Sequence, residues 1–258
     1  MTKRIIYALQ RQSRILSPRI IYASHSAKAA HEALGFPIEN TRVILNGVDI
    51  SRFQPNPSAR EYVLQEIGIP EGRREETLLI GRFARLDPMK DYPSLLRAFA
   101  HFHKQRPMAA LVCVGKGVTK GNSVFASMVR DAGAPTESVY ALGFREDVAL
   151  LMAGMDITVS SSSRKEAWPL AIAESMACAV PCIATDIGDS VDILGNRDRI
   201  VPVEDCEALG AVLEHYFSLT PERRKCLGQE ARERVASLFP LEKTVEAYAE
   251  EFYSAVSS

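Results

Sequence analysis

The chain has 258 residues, 47% hydrophobic and 24% charged, enough for one large domain or for one domain and part of another. Its 31 basic and 32 acidic side chains leave a formal net charge of −1, so nothing in the global balance argues for nucleic acid, and any anion site has to be local. Five cysteines, Cys113, Cys178, Cys182, Cys206 and Cys226, without C-x-x-C spacing fit a reducing cytosol, and no apolar run reaches the roughly 18 residues of a membrane span.

The basic start is interrupted at Gln10, Arg11 and Gln12 before a signal-peptide core can form, so a cytoplasmic protein is expected. Residues 5–16 have an amphipathic helical pattern, 19–24 read as a buried strand, and 27–34 as a helix stopped by Gly35 and Pro37. A short strand at 42–45 runs into the turn residues Asn46-Gly47-Val48-Asp49. Residues 56–72 are Pro-, Gly- and charge-rich with one helical stretch at 61–67, and read as connecting structure.

A regular alternation then begins, with strands at 77–83, 110–115, 139–143, 156–160, 181–186 and 200–203 and helical pattern between them. Six strands alternating with helices predict an α/β fold built on an open parallel sheet. After Pro93, the side chains Leu95, Leu96, Phe99 and Phe102 make one apolar stripe. Helices are expected at 205–218 and 221–239, Pro240 interrupts, and 241–256 is a last amphipathic helix with Tyr248 and Phe252 on one side.

In open α/β sheets ligands sit beyond the carboxyl ends of the strands, and the most informative such stretch is 160–186. Pro169 suits the first turn of a helix over 169–178, which leaves Glu166 in the loop ahead, Glu174 inside, and the amides near Leu170 and Ala171 facing outward. Amides at a helix start favour anions, and carboxylates accept hydrogen bonds from hydroxyls. A sugar nucleotide has both parts.

The same stretch resembles the Glu, seven residues, Glu motif of the retaining glycosyltransferases of family four, which have the two-lobed GT-B fold. Ser161, Ser162, Glu166, Trp168, Pro169, Glu174, Met176, Ala177, Cys178 and Pro181 match its pattern, while Ala167 stands where glycine is usual. The likeness spans about residues 22–252. It implies a Rossmann-like doubly wound donor-binding domain over 47–240, preceded at 1–46 by a strand-helix remnant of the acceptor-side lobe. A helix at 241–258 would cross back onto that lobe. Most of an acceptor lobe is therefore lacking, so either the chain is a fragment or that lobe comes from elsewhere, and the uncovered apolar surface is expected to favour a partner chain or self-association.

The resemblance also assigns residues. Gly81 and Arg82 through Lys90 are similar to a Gly-Arg…Lys-Gly segment that holds the donor diphosphate, so Arg82, Lys90 and the amides at Leu170 would stabilise the leaving group, with Asp91 replacing the glycine. Arg82, Arg85 and Lys90 could alternatively be solvated loop charges. Gly115 either leaves room for the ligand or belongs to a flexible connector, and its loop matches neither a dinucleotide fingerprint nor a P-loop. Main chain around Phe144 and Arg145, with Val148 close behind, would meet the base, while Asp147 is expected to cap the helix at 148–153. Glu174 falls to the ribose hydroxyls and Glu166 to those of the transferred sugar. Trp168, beside Pro169, either packs over the ligand or closes the core, and Asp189 either weakens diphosphate binding or faces solvent.

No metal or cofactor is expected: His101 and His103 do not share a helix face, and there is no Asp-x-Asp pair. The implied reaction is metal-independent, retaining transfer from a UDP- or GDP-sugar to a glycan or lipid-linked acceptor, as in polysaccharide biosynthesis, in the cytoplasm or peripherally at the inner membrane face. The alternative is a nucleotide-sugar-binding module without turnover that needs a separate acceptor lobe. A nicotinamide-dependent oxidoreductase is disfavoured because no strand is followed by Gly-x-Gly-x-x-Gly.

Overall fold

The computed structural model describes residues 5, 7–12, 19–164 and 166–256, so the helix expected over 5–16 lies partly outside the described residues. The first unit is a parallel pair, β1 (Ile20–Tyr22) and β2 (Thr41–Val43), joined through helix α1 (His25–Ala33). Ser24 starts α1 by accepting a hydrogen bond from the Ala27 amide, and Gly35, at φ +82°, ends it.

Helix α2 (Ala59–Glu66) leads into the main alternation of β3 (Leu78–Phe83), α3 (Tyr92–Gln105), β4 (Ala109–Val114), α4 (Ser123–Asp131), β5 (Val139–Gly143) and α5 (Val148–Ala153). It continues with β6 (Ile157–Ser160), α6 (Leu170–Ala177), β7 (Cys182–Thr185), α7 (Ser190–Leu194) and β8 (Ile200–Val201). Helices α8 (Cys206–Ser218), α9 (Pro221–Leu238) and α10 (Leu241–Val256) close the chain. The six strands expected are found, although the last stops at Val201 because Pro202 has no N–H to donate to the ladder.

All six strands are parallel, in the order β5-β4-β3-β6-β7-β8. Successive side chains of a strand point to opposite faces, and the sheet is apolar on both. Leu79, Val112 and Ala184 meet α2, α5, α6 and α9, whereas Ile80, Leu111 and Ile183 meet α3, α4 and α8. The chain lays β3, β4 and β5 outward in one direction and returns to place β6 beside β3. The strand order reverses between β3 and β6, and the loops leaving them border the switch point, where an open α/β sheet has its ligand crevice.

The N-terminal unit joins this domain at two adjacent crossings. The Val48 amide donates to the Phe239 carbonyl (2.9 Å), and the Leu241 amide donates to that of Val48 (3.0 Å). Gly47 allows this, since a Cβ there would stand 2.6 Å from the Leu241 Cα. Helix α10 then reaches back, pairing Glu251 with both Arg19 and Arg42, and leaves Val245, Phe252, Tyr253 and Val256 exposed. Among the described residues no helix is long and apolar enough to cross a membrane.

Candidate functional site

The loops after β3 and β6 bring Lys90 and Glu166 together across the crevice. Lys90 Nζ pairs with Glu166 Oε2, both side chains being mostly buried (17% and 16% exposed), and Ser162 Oγ donates to the same oxygen at 2.9 Å. Local capping sets the lysine. Asp87 accepts from the Met89 amide to close one turn over Pro88–Lys90, and Asp91 accepts from the Ser94 amide to start α3. Asp91 takes φ +45°, a left-handed conformation that glycine reaches most easily and aspartate tolerates better than most residues. The aspartate thus fills the turn position of the expected glycine and adds a cap.

Arg82 lies inside the strand. It is the penultimate residue of β3, 1% exposed, and donates to the carbonyls of Val159 (3.1 Å) and Lys90 (2.7 Å) with Tyr92 stacked beside it. Its two terminal guanidinium nitrogens are thus bonded to main chain, while Nε is buried without a partner. Arg85, two residues past the strand and half exposed against Asp87, is the arginine the loop presents. Gly81 is likewise a packing residue, because a Cβ there would lie 2.8 Å from Met155 Cγ. At Gly115 (φ +156°) a Cβ would fall 2.0 Å from the Ala84 carbonyl oxygen, so this glycine makes room for the β3 loop.

Helix α6 starts one residue later than expected, with Pro169 in an extended conformation at its cap position and no side-chain cap. The amides of Leu170 and Ala171 have no carbonyl one turn back to receive them, so the helix start points unsatisfied donors outward. Leu170 is exposed and Glu174 lies one turn further along the same face. Burial pushes the Glu174 carboxyl above the ordinary glutamate range, with Arg52 pulling weakly the other way. Trp168 closes the core. It is buried edge-on to Phe239, with ring centroids 5.0 Å apart, and does not cover the crevice.

At the end of β5, Phe144 is 74% exposed, whereas Arg145 is held from three sides. Its guanidinium forks onto Asp147 (2.8 Å twice), reaches Tyr62 Oη (3.0 Å) and pairs with Glu66. The Asp147 side chain makes no cap to α5, contrary to expectation. The arginine and the Tyr62 hydroxyl claim it instead, and the Arg145 hydrogen bonds hold its carboxyl down at about 2. Val148 packs against the core behind this loop. Arg145 therefore has only its main chain to offer a ligand. Among the described residues no group of three or more His, Cys, Asp or Glu gathers as a metal would need.

A crevice at the switch point of a parallel sheet, with a lysine-glutamate pair ahead of an open helix start, is the setting in which the sequence relationship can be read. Residues 65–234 match the family model described as Glycosyl transferases group 1. The chain belongs to this family. Among curated relatives of this group 1 chain, the putative glycosyltransferase EpsD of Bacillus subtilis (strain 168) is 29% identical over 211 residues, covering 81% of the chain and 53% of EpsD. The chain spans about half the length of the curated relatives it matches. The crystal structure of Anabaena Alr3699/HepE in complex with UDP and glucose superposes with a TM-score of 0.85 at 21% identity, covering 98% of this chain and 68% of HepE. The C-terminal domain of the group 1 family protein LpcC from Francisella tularensis is covered in full by 76% of this chain, at 23% identity and a TM-score of 0.63. The fold is that of GT-B glycosyltransferases.

Two features of this group 1 site were not legible in its motif. Ser162 matches the motif without a role of its own, and the structure turns its hydroxyl onto Glu166. Asp189 neither faces solvent nor approaches the crevice. It is 2% exposed, and its two oxygens accept the amides of His25 (2.7 Å) and Ser26 (2.8 Å) at the start of α1.

Proposed function

We propose that this chain supplies the donor-binding half of a retaining, metal-independent glycosyltransferase that moves a sugar from a UDP- or GDP-sugar to a glycan or lipid-linked acceptor. The observation that carries the reading is the Lys90–Glu166 pair, set across the switch-point crevice ahead of the open start of α6. Relatives named as glycosyltransferases, and a structural neighbour that holds UDP and glucose, support it.

In the reaction the bond from the anomeric carbon to the diphosphate breaks, and the electron pair leaves with the diphosphate oxygen. Lys90 and the amides of Leu170 and Ala171 offset the charge that grows there, with Arg85 at the loop edge, and this takes the place a metal would fill. Glu166 and Glu174 accept hydrogen bonds from sugar and ribose hydroxyls and so hold the anomeric carbon in place. The acceptor hydroxyl oxygen then bonds to the face the diphosphate left, which retains the configuration, and its proton passes to the departing diphosphate oxygen.

A nucleotide-sugar-binding module that turns over only with a separate acceptor lobe is the second reading. A thermal-shift panel with UDP, GDP, ADP and NAD in EDTA, on the wild type and on Glu174→Ala, tests donor binding. A UDP or GDP shift lost in the variant supports the donor site, and no shift with any nucleotide overturns it. Transfer or donor hydrolysis by the chain alone separates the two readings.

A further inference from the structure

We infer that Asp189 is a positioning residue for Glu166, and that it works by tying the N-terminal helix α1 to the loop that carries this glutamate. The inference rests on the donor-site reading above only for the role of Glu166. The link itself is a closed set of hydrogen bonds across 164 residues of sequence.

A carboxylate as buried as Asp189 needs compensation. The start of α1 provides it: the His25 amide donates to Oδ2 and the Ser26 amide to Oδ1, two of the donors that a helix start leaves unpaired, at its positive end. The main chain of Asp189 faces the other way, and its amide donates to the Ala167 carbonyl at 2.9 Å. Ser26 Oγ donates to that same carbonyl at 3.2 Å. Ala167 directly follows Glu166, so both the β7 loop and α1 grip the residue next to it.

Gly188 completes the grip. At φ +58° it lies so close to the Glu166 loop that a Cβ would stand 2.5 Å from the Glu166 carbonyl oxygen and 2.6 Å from that of Ala167. The direction in which Glu166 leaves its loop, toward Lys90 and Ser162, is thereby set by elements from both ends of the chain. The strand-helix unit at residues 20–43 is then a working part of the donor site, because its helix start holds the aspartate that holds the loop.

The test is a double-mutant cycle read by urea unfolding, with Lys90→Met and Glu166→Gln measured singly and together in the wild-type and Asp189→Ala backgrounds. Positioning predicts non-additive midpoints in the wild type and additive ones once Asp189 is replaced. A merely structural aspartate would lower every midpoint and leave the coupling intact. Asp189→Asn, which keeps one accepting oxygen, is the second background should alanine fail to fold, and Ser26→Ala removes only the hydroxyl arm. Coupling of the same size in all backgrounds, or none in the wild type, overturns the inference. The nucleotide panel is independent of this cycle, so failure of the donor-binding reading shows separately.

Discussion

Arg82 donates a hydrogen bond from Nη2 to the backbone carbonyl of Lys90, 2.7 Å away, from beneath the floor of the crevice. Buried at 1% exposure, it supports the lysine loop from within the sheet. Ser161 Oγ donates to the same carbonyl at 3.0 Å, so both loops of the crevice converge on one main-chain atom.

Replacing Arg82 should therefore act first on stability. Arg82→Ala takes a donor from the Val159 carbonyl, leaves the Lys90 carbonyl to Ser161 alone and opens a cavity, at a cost on the order of 2–3 kcal/mol. Arg85→Ala, at a half-exposed site, should stay within about 0.5 kcal/mol of the wild type yet weaken UDP binding. Melting curves and calorimetric titration on the two variants separate the roles, and equal loss of UDP affinity with unchanged melting in Arg82→Ala would put that side chain back in the site.

Lys90→Ala should remove the donor-dependent thermal shift and leave the fold intact, since the lysine lies at the crevice edge of its loop. If the lysine offsets charge on the departing diphosphate, kcat falls by about 10²–10³, the usual size for one such group. Normal turnover of a nucleotide sugar by Lys90→Ala would sink the assignment.

Glu174 should show opposite signs in stability and binding. Its folded pKa lies above the unfolded value of 4.5, so between the two the folded chain holds more protons. Its contribution to stability is full below the unfolded value and is lost as pH rises through the folded one. Glu174→Gln should therefore melt at or above the wild-type temperature at pH 7 while losing the UDP shift. Melting below the wild type at that pH would show a carboxylate that the fold prefers charged.

Asp147 should behave in the reverse sense. Its carboxyl is held at about 2 against an ordinary 3.8, so its contribution is full above about pH 4 and disappears as pH falls toward 2. Asp147→Asn should flatten that part of the acid-unfolding curve, and Tyr62→Phe should lower melting by less than Arg145→Ala, which strips the hub from all three partners. An acid limb unchanged in Asp147→Asn would disprove the pairing.

Much of this fold is legible in the chain because each element carries its own signal. The apolar runs at β4 and β5, the stripe on α3, Gly35 after α1 and Pro240 before α10 act over a few residues, and the expected bounds fall within about two residues of those found. Lys90, Glu166 and Glu174 were also legible, through motif spacing. The contacts of Arg82 were not, because they join it to the carbonyls of Val159 and Lys90, which only the fold brings to it. Trp168 was open for a similar reason: beside a helix start, the side facing the core is set by packing against Phe239, 71 positions away in the numbering.

By itself, then, the sequence determined six parallel strands and their helices, because hydrophobic period and turn chemistry are local properties. Only the tertiary structure decided that Lys90 meets Glu166, that Arg82 serves the floor of the site, and that Asp189 receives the start of α1. Those contacts join residues far apart in the chain. They exist because the return of the chain from β5 to β6 places distant loops side by side, where a buried carboxylate or guanidinium must find its partners.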